Sequence, residues 1–391
     1  MREGADVERP DTVIGRRLAG RALALASRTR ADGLTLSADH KSIDLTRREP
    51  LPTPAHIGDA AKAALDRGET HYTSRPGVPE LRAAIAERTT ADGFPATTDG
   101  VVITNGGAEA LYIALQSVLK PGDRALIAGP VAPNIVDMID FIGAERVAIA
   151  ATTRSPGAPD IAELSQPDAS VLLVGSPSPI TGVVIPPDTL REVIAVAIER
   201  GMAVILDRTL AWCAHDHALA RFPDPELAAQ VLTIGSFSIA WGMDGWRVGY
   251  FTAPAVHIAA MRELKQAMSI CTSAVSQFAA LAALENAKPW LADQRTTFSH
   301  RLATATTILA EAGIPVMQPD AWPFLLLDTR LIHPDDNQAA MMIARDAGIH
   351  VEPASRYGDT LAGYVRIRLD APEQDLLSGL KQLVSFHNTC L

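Results

Sequence analysis

Lysine is scarce in this chain. Of its 35 basic residues, six are lysine (Lys41, Lys62, Lys120, Lys265, Lys288 and Lys381), and none lies between positions 121 and 264. Lysine-based chemistry carried by that span is excluded. Cysteine is scarcer: Cys213, Cys271 and Cys390 are odd in number and scattered, which argues against a disulfide framework. No apolar run reaches the roughly 18–20 residues of a membrane span. The opening Met1–Pro10 is charged, unlike a secretory signal, so a cytoplasmic protein with no membrane partner is expected. The net charge of −10 is spread without blocks, which argues against nucleic acid and anionic lipid as partners. No internal repeat, nucleotide fingerprint or nucleophile–base–acid spacing is present. What remains is an ordinary globular composition, 47% hydrophobic and 20% charged over 391 residues, enough for two domains and a large core.

Residues 1 to about 14 are polar, and Ile14–Ser27 has the pattern of an amphipathic helix. Pro54 opens a helix that continues through Leu65. From residue 100, short apolar runs alternate with helical stretches. Strands are expected at Val101–Thr104, Ala125–Ala128, Arg146–Ala150, Val171–Gly175, Ala203–Asp207, Val231–Ile234 and Val248–Thr252. Continuous apolar runs separated by helices indicate an α/β fold with a parallel sheet covered on both faces. Beyond a helix around Ser276–Ala287, strands are expected at Gly313–Met317 and Pro323–Asp328. A helix over Asn337–Ala347 should end at Gly348, before closing strands.

The most informative stretch is Gly235-Ser236-Phe237-Ser238-Ile239, followed by Gly245-Trp246-Arg247-Val248-Gly249. Small hydroxyls at the end of a buried strand, free N–H groups and a guanidinium fork suit a dianionic phosphate. Gly106-Gly107-Ala108 stands between a strand and a helix, where a glycine turn offers N–H donors and a positive dipole. Asp207 ends a buried strand and needs either a cationic partner or a turn to cap. Cys213-Ala-His215-Asp-His217 places three metal-ligand types at alternate positions; a solvated histidine pair is the plainer reading, and no metal site is assigned.

These segments resemble the class I/II aminotransferases, fold-type I pyridoxal-phosphate (PLP) enzymes. That family reads Ser-x-Ser-Lys and then Gly-x-Arg-x-Gly, and here the Schiff-base lysine position is held by Ile239. The segment Tyr72-Thr-Ser-Arg-Pro-Gly77-Val-Pro-Glu-Leu81-Arg82 is similar to another family motif. The resemblance implies a homodimer in which Tyr72 reaches a neighbour's phosphate cup; otherwise Tyr72 simply packs. It implies cofactor contacts at Gly106, Gly107, Ala108, Asp207, Ser236, Ser238 and Arg247, with Asp207 on the pyridine nitrogen. Arg366 falls on the substrate-carboxylate clamp, unless it is a structural ion pair, and Arg368 would face the same side of a strand.

The resemblance spans about residues 40–391. It implies a mostly parallel seven-stranded sheet in a large domain (43–290), a smaller α+β domain (291–391), and an N-terminal segment and helix (1–42) packing with the small domain. The departures fall on cofactor positions. Pro179 replaces an asparagine, Ala132 replaces a stacking aromatic, and Arg208 and Leu210 follow Asp207 where an acidic residue and a tyrosine are usual. The expected protein is therefore an aminotransferase-like biosynthetic enzyme acting on a carboxylate-bearing substrate, without an internal aldimine. PLP would be held non-covalently at most, or the chemistry would be cofactor-independent. An ordinary aminotransferase with one Lys→Ile change and a non-catalytic ligand-binding homologue are the alternatives.

Overall fold

The computed structural model describes residues 42–49, 51–149, 157–166, 168–218 and 221–390. The expected helix over 14–27, and with it the proposed packing of the 1–42 segment, lies outside these residues. From Ile43 onward the chain forms one compact unit.

Near its start are a two-residue strand β1 (Ile43–Asp44) and helices α1 (Ala55–Asp66) and α2 (Pro79–Ala91). The helix α2 has proline at its first turn, where the missing N–H costs nothing. Seven strands then build the large sheet: β2 (Val101–Thr104), β3 (Arg124–Ala128), β4 (Glu145–Ile149), β5 (Ala169–Gly175), β6 (Ala203–Asp207), β7 (Leu232–Ser236) and β8 (Gly249–Thr252). Their order across the sheet is β2-β8-β7-β6-β5-β3-β4. Each expected strand is found, with ends moved by up to two residues. The pairings from β7 to β4 are parallel, whereas β8 runs antiparallel to both β7 and β2. The physical reason is the connection: a loop without a crossover helix returns β8 beside β7, and parallel pairing would need that helix.

The sheet is covered on both faces, which is why β5 and β6 read as unbroken apolar runs. On one face α3 (Gly107–Val118) and α4 (Pro133–Ile142) bury Ile113 and Ile139 against Ile127, Leu173 and Ile205. On the other, α5 (Pro187–Glu199) buries Val193 and Ile194 against Leu172, Val204 and Leu206. Alternation along β6 therefore sends Ile205 and Asp207 one way, and Leu206 and Arg208 the other.

Helices α6 (Ala255–Ser269), α7 (Ala274–Glu285) and α8 (Ala287–Glu311) follow, the last a continuous 25-residue helix. The expected boundary at 290/291 falls inside α8. A second, antiparallel sheet has the order β12 (Glu352–Pro353), β13 (Tyr364–Arg368), β10 (Phe324–Asp328), β9 (Val316–Met317). The strand expected over Gly313–Met317 shortens to β9 because Gly313 turns at φ +69° and Pro315 has no N–H to pair. Helix α9 (Asp336–Ala347) ends at Gly348, whose left-handed φ of 65° lets the chain leave as β11 (Ile349–His350), parallel to β1. Helix α10 (Glu373–Cys390) closes the described chain.

Candidate active site

Gly106, Gly107, Ser236, Ser238 and Arg247 are brought close together at the end of the large sheet. Gly106 caps α3 with φ +86°, leaving the N–H groups of Gly107, Ala108 and Glu109 without intrahelical acceptors. A Cβ on Gly106 would run into the Arg247 guanidinium, and one on Gly107 would come within 3.0 Å of Thr209 Cγ2 and 3.3 Å of Ser236 Cβ. At Gly106 the positive φ strains any other residue, and at Gly107 a Cβ would need Thr209 or Ser236 to give way slightly. Arg247 sits in the left-handed region (φ 55°), a strained conformation held by a bond from its Nη1 to Asp244 O (2.9 Å). Arg48 pairs with the Asp244 carboxylate and fixes that turn. Ser236 Oγ donates to Ser238 Oγ (3.0 Å) and accepts the Ser238 N–H (3.2 Å). The carboxylate of Glu109, in the first turn of α3, accepts the Asn105 N–H (2.6 Å). The cup thus presents two hydroxyls, a guanidinium and a helix N-terminus to one space, a donor set for an anion.

Asp207 lies at the floor. It is 6% exposed, and its Oδ1 accepts both the N–H (2.9 Å) and the hydroxyl (2.6 Å) of Thr209. Burial pushes its carboxyl above the usual range, and the two Thr209 bonds pull only partly back. A cationic group beside it would reverse that shift. A cavity of about 20 Å³ adjoins Asp207, lined by Ala132, Ser178 and Pro179 among others. That is room for roughly one water.

Ile239 stands in the turn after β7, half-buried and packed against the main core beside Trp241 and Met243. The one lysine with a fully buried side chain among the described residues is Lys265 on α6. Its Nζ donates to Ser269 Oγ one turn along (3.2 Å), and burial lowers its pKa against the opposing pull of Glu109 and Cys271.

Arg366 stands on β13 of the small sheet. Its guanidinium is sandwiched between the rings of Phe324 (4.1 Å) and Tyr357 (4.2 Å). Nε and Nη2 both donate to Glu352 Oε2 (3.0 and 2.6 Å), and Nη2 also bonds the Tyr357 hydroxyl. Burial alone would raise the Glu352 pKa. The charge of Arg366, hydrogen bonds from Tyr357 and Arg366, and the charge of Arg356 outweigh it and hold the carboxyl low. An incoming carboxylate must therefore take the Nη1 edge or displace Glu352. Arg368 stacks on the same Phe324 ring (4.9 Å), as strand alternation requires, but its fork is spent on Asp370 (2.7 and 2.6 Å). Tyr357 links this group to the floor: its carbonyl accepts the Val131 N–H (3.0 Å), and it packs with Ile180 and Ala132.

Tyr72 is not brought to the cup of its own chain; it projects from the α1–α2 loop, 79% exposed. Among the described residues no group of three or more His, Cys, Asp or Glu could hold a metal ion. His215 instead meets Ser299 Oγ (3.0 Å) and the Trp322 ring. Sequence reasoning missed Glu352, Tyr357 and Thr209. A carboxylate placed directly after Ile349-His350-Val351, in a stretch expected to be a strand, was the available signal for Glu352, because a half-buried charge there demands a cation across the sheet.

The chain is similar to known proteins. The family profile described as "Aminotransferase class I and II" matches residues 43–383. A probable aspartate/prephenate aminotransferase of Thermus aquaticus is 28% identical, over 89% of this chain and 92% of its own. A probable N-acetyl-LL-diaminopimelate aminotransferase of Bacillus subtilis is 28% identical over 90% and 91%. The crystal structure of aspartate aminotransferase from Thermus thermophilus with maleate superposes with a TM-score of 0.84, at 27% identity, covering 94% of this chain and 99% of that one. With the profile spanning both sheets, the glycine-capped cup and the Asp207 floor, this chain belongs to the class I and II aminotransferases.

Proposed function

We propose that this aminotransferase-family chain is an enzyme acting on a carboxylate-bearing amino acid or keto acid, with no cofactor covalently attached to lysine. The observation that carries the proposal is Ile239, an aliphatic side chain packed on the core where the family motif has its lysine. The names of the relatives, aspartate/prephenate and N-acetyl-diaminopimelate aminotransferases, support the substrate class. PLP fits the residues present at its two charged ends. Gly106, Gly107, Ala108, Ser236, Ser238 and Arg247 would hold the phosphate, and Asp207 would pair with the pyridine nitrogen. Between these ends the grip is weaker, because Ala132 offers no ring and Pro179 no side-chain donor. Bound there, the group would supply an electron sink beside the substrate. The chain's own part is to orient the substrate through Arg366 and to keep Asp207 anionic once a cation faces it.

The test is spectroscopic. Purified protein mixed with PLP is expected to show no imine absorbance band and to yield no lysine adduct on borohydride treatment. A reduced adduct on any of the six lysines would refute non-covalent binding.

We further infer a cytoplasmic homodimer, supported by Tyr72, whose ring stands 79% exposed and away from its own cup. A two-fold pair is the commonest closed assembly. Light scattering at micromolar concentration should give twice the chain mass of 41.6 kDa, and a monomer would contradict the shared site.

One observation favours binding without turnover as a second reading. The clamp guanidinium is already neutralised by Glu352, as in a structural ion pair.

A further inference from the structure

A second cavity lies on the other face of β6 from Asp207. It has a volume of about 250 Å³. Its walls are mixed: Phe94, Phe222, Leu190 and Ile185 give an apolar part, and Arg88, Arg208, Arg221 and Asp92 give a charged part. Three guanidinium groups thus face one carboxylate among the described lining residues. Asp92 is shared: its Oδ2 accepts from Arg208 Nη2 (3.0 Å), and its Oδ1 lies 3.4 Å from Arg88 Nε. That second contact makes no hydrogen bond, so Arg88 Nε is a buried donor without an acceptor. Arg208 Cζ lies over the Phe94 ring (4.5 Å to its centroid), and Phe94 packs on Phe222 with ring centroids 4.8 Å apart.

We propose that this cavity is a second binding site, for a small carboxylate with an aromatic body. The size decides the body: a cavity of about 150 Å³ accepts benzene, so 250 Å³ accommodates one ring, or a fused pair, with its carboxylate. The charge decides the head group, because guanidinium forks bind carboxylates in bidentate fashion and the half-enclosed setting strengthens that attraction. The site is separate from the cup and the floor, yet one residue away from the latter. Arg208 follows Asp207, and the Asp207 carbonyl accepts the Ser176 N–H (3.1 Å) from the cavity wall. The inference does not rest on the proposed chemistry at Ile239.

The experiment is calorimetric titration of the full chain with indole-3-carboxylate and, in parallel, with the neutral indole-3-carboxamide. The carboxylate is expected to bind, and the amide to bind at least about tenfold more weakly. Arg208→Gln and Arg221→Gln should each weaken the carboxylate about tenfold, whereas Arg247→Gln in the cup should leave it unchanged. Raising the salt from about 20 to about 300 mM should weaken binding, because a half-open charged site is screened. Arg221 is exposed, so its variant will fold even if Arg208→Gln does not. Absence of heat up to the solubility limit overturns the proposal. So does equal binding of acid and amide, or sensitivity to Arg247 with none to Arg221.

Discussion

Replacing Ile239 by lysine is expected to give at most feeble amino-donor turnover, even with PLP in excess. On the reading proposed above, the lysine would enter a pocket in which Ala132 and Pro179 stand at two further cofactor positions. Pro179 cannot donate a hydrogen bond to a phenolic oxygen, and Ala132 cannot stack on a ring. A lost hydrogen bond to a charged group costs roughly 1.5–3 kcal/mol and a lost aromatic stack roughly 0.5–1.5 kcal/mol. Together they weaken cofactor binding by about one to three powers of ten. The fold should tolerate the change, because Ile239 is only half-buried and a lysine stem can extend its amine toward solvent. Turnover of an amino donor by the Ile239→Lys protein is the measurement. Robust activity would mean an ordinary aminotransferase site interrupted at a single position.

Arg366→Ala is expected to be among the most destabilising single changes in the small sheet, and to remove carboxylate recognition with it. Glu352, whose side chain is 18% exposed, would lose the guanidinium that occupies its Oε2. Breaking a buried pair from one side costs about 3–5 kcal/mol; the lower end applies here because Arg356 still reaches Glu352 Oε1. The pH dependence follows from the sign of the shift. In the parent chain the Glu352 pKa is lowered, so its stabilising contribution is present above the unfolded value and is lost as pH falls through the folded one. Without Arg366, burial raises that pKa instead, and the cost grows as pH rises above the unfolded value. The gap between variant and parent should therefore be small in acid and widest near neutrality. Urea unfolding of Arg366→Ala at several pH values measures it. The double variant Arg366→Ala, Glu352→Gln should recover part of the loss at neutral pH. A gap that does not change with pH, or no recovery, would show that packing rather than charge dominates at this position.

The large sheet was legible because local physics repeats there. Strands such as Val101–Thr104 and Ala203–Asp207 are buried on both faces, so their apolar runs are unbroken and their ends are marked by glycine, serine or aspartate. Gly348 and Gly106 were legible for a related reason: each meets a backbone requirement that few other residues satisfy, a positive φ at a helix end. The cup residues Ser236, Ser238 and Arg247 lie in one short stretch, so their convergence is largely a property of one loop. The sequence by itself also determined that Ile239, Ala132 and Pro179 occupy these places, and no tertiary contact can give them chemistry their side chains lack.

Tertiary structure decided what depends on distant partners. The reversal of β8 follows from the loop that returns it directly beside β7, not from Gly249–Thr252 itself. Whether Arg366 is available as a clamp depends on Glu352, set opposite it by the β12–β13 register and invisible until the strands pair. Arg208 acquires its meaning from Asp92 and Phe94, more than a hundred positions earlier, which reach it only because α2 and the turn after it fold against the end of β6. Composition and periodicity report which face a residue prefers. The partner that neutralises a charge is fixed by chain topology, and hydrophobic pattern carries no information about it.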